Sequence, residues 1–362
     1  MKNLPGRVDM DQKRQFRIVG KVWETPDTAT FTLQAADDAP FDYLPGQYLS
    51  IIFDTRSGEK RRAYSFSSCP GVDALPAITV RRVVNGEFSN FLLSHAKPGD
   101  LLSTTEAHGR FVLPSRLPGA IFYIAAGSGI TPVMSHLKHL LFSEKKVTPR
   151  IVLYYANRHS RSTIFKSQLD TWMRELPQQF ECTYFFSREK DAAHSLNRHL
   201  SNRLLEEMLV RHFEGKIGAE ALNNTLFYLC APKALMRMAE MTLRVLDFPD
   251  SAIYKETFTP DLQLPQRKLD MTHQHTVIAE SRDERIEFRT YEGETILNAA
   301  LRQGIALPYS CKSGICLSCL ATCKEGLVDL DFAEATTRTG PGQTVNTCIG
   351  YAVSDRVVLH FE

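Results

Sequence analysis

Four cysteines near the C-terminus constrain this chain more than any other feature: Cys311, Cys316, Cys319 and, further on, Cys348. A C-x4-C-x2-C…C spacing suits a [2Fe–2S] cluster, which needs four thiolates, two for each iron. A loop lets several cysteines converge on one centre. Gly314 and the small Ser313 and Ser318 let the backbone come close enough for N–H groups to hydrogen-bond the sulfurs. Cys316-x-x-Cys319 alone would fit a structural zinc ion, but the four-residue first gap and the long last gap fit zinc poorly. Cys323 is expected to be a buried thiol outside the ligand set. Five of the eight cysteines fall within the last 52 residues, which favours a metal or redox centre over a disulfide scaffold.

The rest of the 362 residues leaves room for two or three domains. A net charge of +2 points to neither nucleic acid nor membrane, and no apolar run reaches the roughly 18 residues of a membrane helix. The polar N-terminus lacks the apolar segment of a secretory signal, so a cytosolic protein with no membrane insertion is expected. Charge is uneven. From Thr272 to Glu362 there are eight Lys/Arg against twelve Asp/Glu, a net of −4, which leaves +6 for the remainder. A basic part joined to an acidic part suits docking between them, or binding of anionic cofactors on the basic part.

Three kinds of pattern follow one another. Between about Phe16 and Pro114, short alternating runs such as Tyr48–Phe53 and Ala77–Val80 are separated by turns such as Leu44-Pro45-Gly46, which predicts an antiparallel β-barrel. From Gly119, apolar runs at Ile121–Ala126, Arg150–Ala156, Glu181–Phe186 and Thr225–Leu229 alternate with helical patterns at Pro132–Phe142, Ile164–Leu176, Leu200–Val210 and Pro232–Leu246. That alternation predicts an α/β domain with a parallel sheet. Residues 215–224 read as an irregular or helical loop. A polar, proline-containing stretch from Thr259 reads as a linker. An α+β unit follows, with strands at His275–Glu280 and Arg285–Thr290, a helix from about Thr295, the cysteine loop and a last strand at Arg356–Phe361. The expected division is 10–116, 117–258, a linker at 259–271, and 272–362.

The C-terminal segment, with Pro308-Tyr309-Ser310 before the first cysteine and Cys348-Ile349-Gly350-Tyr351 at the last, resembles the β-grasp plant-type [2Fe–2S] ferredoxins. The resemblance implies Cys311, Cys316, Cys319 and Cys348 as ligands and a one-electron carrier near about −400 mV. Arg62-Ala63-Tyr64-Ser65 matches the R-x-Y-S signature of ferredoxin–NADP⁺ reductase-like flavoproteins. In such a site an arginine fork can bind a diphosphate, an aromatic ring can stack on isoalloxazine, and a hydroxyl can hydrogen-bond near N5. Arg81 to Asn90 resembles the second flavin segment of that family, a glycine turn into a short helix whose N–H groups meet the pyrophosphate. Val80, Arg81, Gly86, Phe88 and Ser89 are carried over as FAD-binding on that resemblance. FAD is preferred over FMN, although relatives with this domain order use either.

The run Ile121–Ala126 leads into Gly127-Ser128-Gly129-Ile130-Thr131-Pro132 and then a helix. Bare glycine backbone at a helix start is a pyrophosphate cradle, and proline is harmless early in a helix. Pro132 replaces the third glycine of G-x-G-x-x-G, and this form resembles the nicotinamide domain of the same flavoprotein family. The next strand ends at Asn157-Arg158-His159-Ser160-Arg161-Ser162, with no acid before Asp170. NADH sites usually offer a carboxylate to the ribose 2′-hydroxyl and NADPH sites an arginine, so Arg158 and Arg161 favour NADPH over NADH. Leu229-Cys230-Ala231-Pro232 resembles the family's Cys-Gly-Pro turn, with Ala231 in place of glycine. The resemblance implies that Cys230 lies near the reactive nicotinamide carbon and that Glu256 and Phe258 approach the flavin. Glu256 is a candidate proton relay beside the hydroxyl of Ser65.

Taken in order, the flavin, nicotinamide and ferredoxin segments resemble reductase components of multicomponent oxygenases, those of the phenylacetyl-CoA epoxidases among them. The resemblance implies an NAD(P)H-dependent oxidoreductase. A flavin accepts the two electrons of a hydride and releases them singly to a cluster, while the protein supplies binding, orientation and electrostatics. The implied partner is a terminal oxygenase or hydroxylase, or another electron-acceptor protein. The alternatives are a reductase for hybrid-cluster or haem proteins in nitrogen-oxide detoxification, and a non-catalytic redox sensor.

Overall fold

A computed structural model describes residues 13–55, 58–143, 149–189, 195–196, 199–215, 217–258, 267–281, 284–309, 314, 319–331 and 336–361. These fall into two compact units, one within Lys13–Phe258 and one containing the C-terminal segment from residue 267.

The first unit opens with β1 (Arg14–Thr25), β2 (Thr28–Ala35), β3 (Tyr48–Thr55), β4 (Gly58–Ser65), β5 (Ala77–Arg81), α1 (Glu87–Ser94) and β6 (Leu101–Thr104). The strands form one antiparallel sheet in the order β4-β3-β6-β1-β2-β5. An antiparallel bridge between Phe66 and Ile78 brings the two edges of this sheet together. The result is the barrel-like sheet expected from the alternating runs. Alternation places Phe16 and Ile18 of β1, Phe31 and Leu33 of β2, and Leu49 and Ile51 of β3 in one core. Lys21 reaches the far end of α1, where its Nζ donates to the carbonyls of Leu93 and Ala96 at 2.8 and 2.9 Å. A cation there satisfies helix-end carbonyls that have no partner within the helix.

The unit continues through β7 (Ala120–Ala126), α2 (Ile130–Phe142), β8 (Arg150–Asn157), α3 (Lys166–Glu175), β9 (Phe180–Phe186), β10 (Ser195–Leu196), α4 (Asn202–His212), α5 (Ala219–Asn223), β11 (Thr225–Cys230), α6 (Lys233–Val245) and β12 (Ile253–Glu256). Its sheet is parallel, with strand order β10-β9-β8-β7-β11-β12. Both faces of β7 are buried. Ile121, Tyr123 and Ala125 face one core, while Ala120, Phe122 and Ile124 face the other. This explains why the strand reads as a continuous apolar run rather than an alternating one. Residues 219–223, within the stretch expected to be irregular or helical, form the short helix α5.

Helix α2 fastens the parallel sheet to the barrel. His136 is fully buried, and its Nε2 lies 3.1 Å from the carbonyl of Pro45 and 3.0 Å from that of Phe111. Both partners can only accept, so Nε2 carries the proton and Nδ1 accepts from the Tyr123 hydroxyl at 3.3 Å. Burial pushes the His136 pKa down to about 3. Gly46, at φ +89°, lies so close that a Cβ there would sit 1.8 Å from the Phe111 carbonyl oxygen. Further along the same helix, Lys138 pairs with both oxygens of Asp73 at 3.0 Å.

The second unit contains β13 (Asp270–Glu280), β14 (Arg285–Glu292), α7 (Ile296–Arg302), β15 (Leu320–Glu325), β16 (Val328–Asp331), β17 (Thr336–Thr339), β18 (Thr344–Asn346), β19 (Gly350–Ala352) and β20 (Arg356–His360). Five strands form a mixed sheet, β14-β13-β20-β15-β18, and three form a second sheet, β17-β16-β19. Thr295 caps α7 by accepting from the backbone N–H of Asn298, and the apolar face of the helix, Ile296, Leu297, Ala299 and Ala300, fills the core. Cys323 is buried there, its thiol directed to the carbonyl of Glu325 at 3.4 Å.

Strand β13 begins at Asp270, inside the stretch read as linker. Before it, Arg267 grips Asp331 through two contacts of 2.7 Å and lies 4.4 Å above the ring of Tyr351. The end of that polar stretch therefore belongs to the C-terminal unit. A bidentate ion pair with a residue so far along the chain leaves no local trace in the sequence.

Candidate functional site

The parallel sheet places its functional residues by topology. From β7 the chain builds outward through β8, β9 and β10, then returns to the other side of β7 with β11 and β12. The carboxyl ends of β7 and β11 therefore flank a switch point, the usual ligand position in open α/β sheets. Gly127-Ser128-Gly129 follows β7 as a 3₁₀ turn, and Cys230 ends β11. The two approach so closely that a Cβ on Gly129 would lie 1.9 Å from the Cys230 carbonyl oxygen. Gly127 sits at φ +54°, its carbonyl accepts from the Tyr155 hydroxyl at 2.9 Å, and a Cβ there would meet Arg81 Nη1 at 2.5 Å. The Thr131 hydroxyl donates to the Ser128 carbonyl at 3.0 Å, and Pro132 is buried in the first turns of α2. Close approach thus requires glycine at 129 and a left-handed backbone favours it at 127, which leaves bare backbone at a helix entry, the shape a pyrophosphate fits.

Ala231 is not one of the residues with positive φ among those described. Alanine is therefore accommodated where the related turn carries glycine. The Cys230 thiol is buried, and desolvation, reinforced by the charge of Glu256, raises its pKa well above the ordinary thiol value. It is a neutral thiol in this structure rather than a thiolate nucleophile.

Cys230 is the register partner of Glu256 across the parallel pair β11 and β12. Glu256 in turn accepts a hydrogen bond of 3.2 Å from the Ser65 hydroxyl, at the end of barrel strand β4. Glu256 keeps part of its surface exposed, yet loss of water around its carboxyl dominates and lifts the pKa to about 8, with the Ser65 hydrogen bond working against the shift. A carboxyl poised near neutral pH can hold or release a proton under working conditions. Phe258, two residues beyond Glu256, is 44% exposed and so free to meet a planar ring.

Along β4, Arg62, Ala63, Tyr64 and Ser65 pair with Ile51, Ser50, Leu49 and Tyr48 of β3. Ala63 is exposed, Tyr64 half-buried and Ser65 buried. Loss of water raises the Tyr64 phenol well above its ordinary value, so the ring is neutral. The Arg62 guanidinium lies 4.5 Å above the ring of Phe88, which itself packs 4.3 Å from Phe53. Gly86 stands at the start of α1, where no side chain caps the helix. Ser89 holds the turn that leads there: its Oγ accepts from the Val83 N–H at 3.1 Å. Val80 lies in the barrel core. Arg81 bridges Asp27, at 3.1 Å, and the turn at Gly127. Although burial opposes it, hydrogen bonds from Thr25 and Thr28 and the Arg81 charge hold the Asp27 carboxyl below the usual range. An arginine beside an uncapped helix and a bare glycine turn is a donor set suited to a dinucleotide phosphate.

Arg158 and Arg161 stand away from this centre, at the carboxyl end of β8. There His159, Ser160, Arg161 and Glu189 line an open pocket of about 470 Å³. Glu189 was not anticipated from the sequence. It follows β9, and its carboxylate accepts from the Ser160 N–H. Only the pairing of β8 with β9 brings an acid to this place.

In the C-terminal unit, Cys311 and Cys316 lie outside the described residues. Cys319 and Cys348 are both buried, and Cys348 Sγ accepts from the Gly314 N–H at 3.1 Å. Gly314 sits at φ +73°, and a Cβ there would lie 2.5 Å from Cδ1 of Ile349. Buried sulfurs approached by a bare, left-handed backbone N–H fit the ligand set of an iron–sulfur cluster.

A barrel-like sheet, a parallel sheet with a glycine turn at its switch point, and a small cysteine-bearing α+β unit together define an electron-transfer flavoprotein reductase. Comparison with known proteins agrees in each part. Residues 15–113 match the oxidoreductase FAD-binding domain, residues 123–241 the oxidoreductase NAD-binding domain, and residues 280–353 the 2Fe-2S iron-sulfur cluster binding domain. The chain is 30% identical over 320 residues to a subunit of the 1,2-phenylacetyl-CoA epoxidase of Escherichia coli K12, covering 85% of this chain and 86% of that one. It is 27% identical over 326 residues to the ferredoxin reductase component of 3-ketosteroid-9-alpha-monooxygenase of Rhodococcus rhodochrous, covering 86% of each. The solved structure of phthalate dioxygenase reductase shares the fold, with a TM-score of 0.59 at 21% identity over 98% of this chain and 99% of that one.

The chain belongs to the ferredoxin–NADP⁺ reductase-like flavoproteins that carry a C-terminal plant-type [2Fe–2S] domain. It is an oxidoreductase that moves electrons from NAD(P)H through FAD to a [2Fe–2S] cluster. Among the described residues, no helix is long and apolar enough to cross a membrane.

Proposed function

We propose that this chain is an NADPH-dependent reductase that delivers single electrons to a terminal oxygenase or hydroxylase. The convergence of Ser65, Glu256, Cys230 and the Gly127–Gly129 turn at the carboxyl ends of the parallel strands carries the reading. When bound, FAD supplies the capacity to take a hydride and give up electrons one at a time, and the [2Fe–2S] cluster carries them singly. Gly127, Ser128, Gly129, Thr131 and Pro132 cradle the nicotinamide dinucleotide's phosphates. Cys230, with Ala231 beside it, would form the wall against which a bound nicotinamide rests. Arg62 and Arg81, with Gly86 and Ser89 at the start of α1, bind the FAD pyrophosphate. Ala63 and Phe88 would shape that groove, with Val80 supporting it from the barrel core, and Tyr64 and Phe258 would flank the flavin ring. Ser65 holds Glu256, whose carboxyl keeps a proton at neutral pH and would offer it to a bound flavin. Cys311, Cys316, Cys319 and Cys348 are the cluster ligands. Arg158 and Arg161 receive the 2′-phosphate of NADPH. The oxygenase partner is inferred from the epoxidase and monooxygenase systems to which the two relatives above belong.

Anaerobic absorbance spectra after addition of NADPH and NADH in parallel test this. NADPH should bleach the flavin and cluster bands faster than NADH does at equal concentration. Cys316→Ser should keep hydride transfer to the flavin and abolish one-electron output to an acceptor. Equal rates with both nucleotides would remove the NADPH assignment. Undiminished one-electron delivery by the Cys316→Ser variant would remove the relay.

A further inference from the structure

Gly314, inside the cysteine loop, is held by one short segment of chain. Its N–H lies on Cys348 Sγ at 3.1 Å, its carbonyl on the side-chain amide of Asn346 at 2.7 Å, and its Cα face against Ile349. All three partners come from the run that begins with the last residue of β18 and ends at Ile349. The same run holds the far end of the cysteine loop, because the Thr347 hydroxyl and the Thr347 N–H both donate to the Cys319 carbonyl at 3.2 Å. The backbone of Asn346 is in turn pinned opposite Leu320, the neighbour of Cys319, in the β15–β18 pair. Asn346 is only 6% exposed. A buried amide is costly unless its hydrogen bonds are made, and this one gives its donor to a glycine carbonyl in the ligand loop.

We propose that Asn346 is a positioning residue for the [2Fe–2S] cluster. By holding the Gly314 carbonyl it fixes the peptide plane on one side of Gly314, so that the N–H on the other side stays on Cys348 Sγ. An N–H directed at a ligand thiolate withdraws charge from it and stabilises the reduced, more negative cluster, which raises the reduction potential. Gly314 at φ +73° has no Cβ to restrict its backbone, so the grip of Asn346 on its carbonyl supplies restraint that the residue itself lacks.

The test is an anaerobic redox titration of the full-length holoprotein followed by electron paramagnetic resonance, with iron content measured on the same samples. Asn346→Leu keeps the volume and removes the donor. It should retain iron while its midpoint potential moves to a more negative value and its resonance line shape changes. Asn346→Ala, smaller, uncharged and likewise without a donor, should move the potential in the same direction. Asn346→Gln, which keeps the amide, should restore part of the shift. A cluster retained at full iron content with wild-type potential and line shape in Asn346→Leu would overturn the proposal. Should Asn346→Leu fail to hold iron, the potential of the Ala variant decides. Loss of iron in both, with a wild-type potential in whatever cluster remains, means Asn346 serves only folding and also overturns it.

Discussion

The Ser65 hydroxyl donates to Glu256 Oε2 at 3.2 Å, although 191 residues separate the two in the chain. The bond ties the last residue of a barrel strand to the last residue of the parallel sheet, at the point where the flavin and nicotinamide halves meet. Glu256 is the ionisable member, and its pKa of about 8 against an ordinary 4.5 has a consequence for stability. The unfolded chain releases this proton from about pH 4.5, while the folded chain keeps it until about pH 8. Folding therefore loses stability as pH rises across that window. Glu256→Gln removes the titration and leaves an acceptor for Ser65. The melting temperature of the variant should gain on the wild type as pH rises through the same window. Parallel pH dependences would mean that the carboxyl is not held protonated. In stopped-flow flavin reduction, the wild type should show an ionisation near pH 8 that Glu256→Gln lacks.

The two glycines of the nucleotide turn differ in what a methyl group would meet. At Gly129 the obstacle is backbone, the Cys230 carbonyl 1.9 Å away, whereas at Gly127 it is the tip of the Arg81 side chain. Gly129→Ala should cost about 1–3 kcal/mol in denaturant unfolding of the reductase unit, the usual range for overpacking. Gly127→Ala carries the cost of a left-handed alanine, about 1–2 kcal/mol. It also displaces Arg81 from Asp27. Gly129→Ala should therefore raise KM for the nucleotide, and Gly127→Ala should weaken FAD retention as well. Wild-type stability for Gly129→Ala would contradict the close approach.

At the end of β8, charge of both signs shares one pocket, with Arg161 and Glu189 both lining it. A 2′-phosphate would be drawn by the first and repelled by the second. Glu189→Gln should raise the ratio of kcat/KM for NADPH over NADH, and Arg161→Ala should lower it. Each change should be several-fold, as for about 1 kcal/mol, the upper end measured for solvent-exposed charge pairs. A ratio unmoved by both would place the ribose elsewhere.

Arg267 holds Asp331, and more loosely Asp329, in the C-terminal unit, and Arg338 holds Asp329 at 2.7 Å. The hydrogen bond from Arg338 depresses Asp329 and that from Arg267 depresses Asp331, both against the cost of burial. Their stabilisation is present above the ordinary carboxylate pKa of 3.8 and is lost as pH falls through the depressed values. Arg267→Ala should cost about 1.5–3 kcal/mol, the range for a hydrogen bond to a charged group, and flatten the acid limb of stability. Loss of far-ultraviolet circular dichroism on titration to low pH reports it. An unchanged acid midpoint would show that the ion pair is too solvated to matter.

Much of this protein was legible in the order of its residues. Three composition patterns marked a barrel-like sheet, a parallel α/β sheet and a small α+β unit, because period-two alternation, continuous apolar runs and helical spacing are local consequences of which faces are buried. The Arg62–Ser65 run and the Gly127–Pro132 turn were equally visible, since each is a contiguous string whose backbone must take one shape, and the cysteine spacing was visible because it is a matter of residue type and interval alone. The tertiary structure decided what distant strings do to each other. It set Cys230 opposite Glu256, pressed Gly129 against Cys230, brought Glu189 to Ser160 and placed Asn346 on Gly314. It also drew Arg267 out of what reads as a linker. Strand pairing and hydrogen bonds between positions far apart in sequence impose no periodicity on either partner, so they become visible only when the chain has folded.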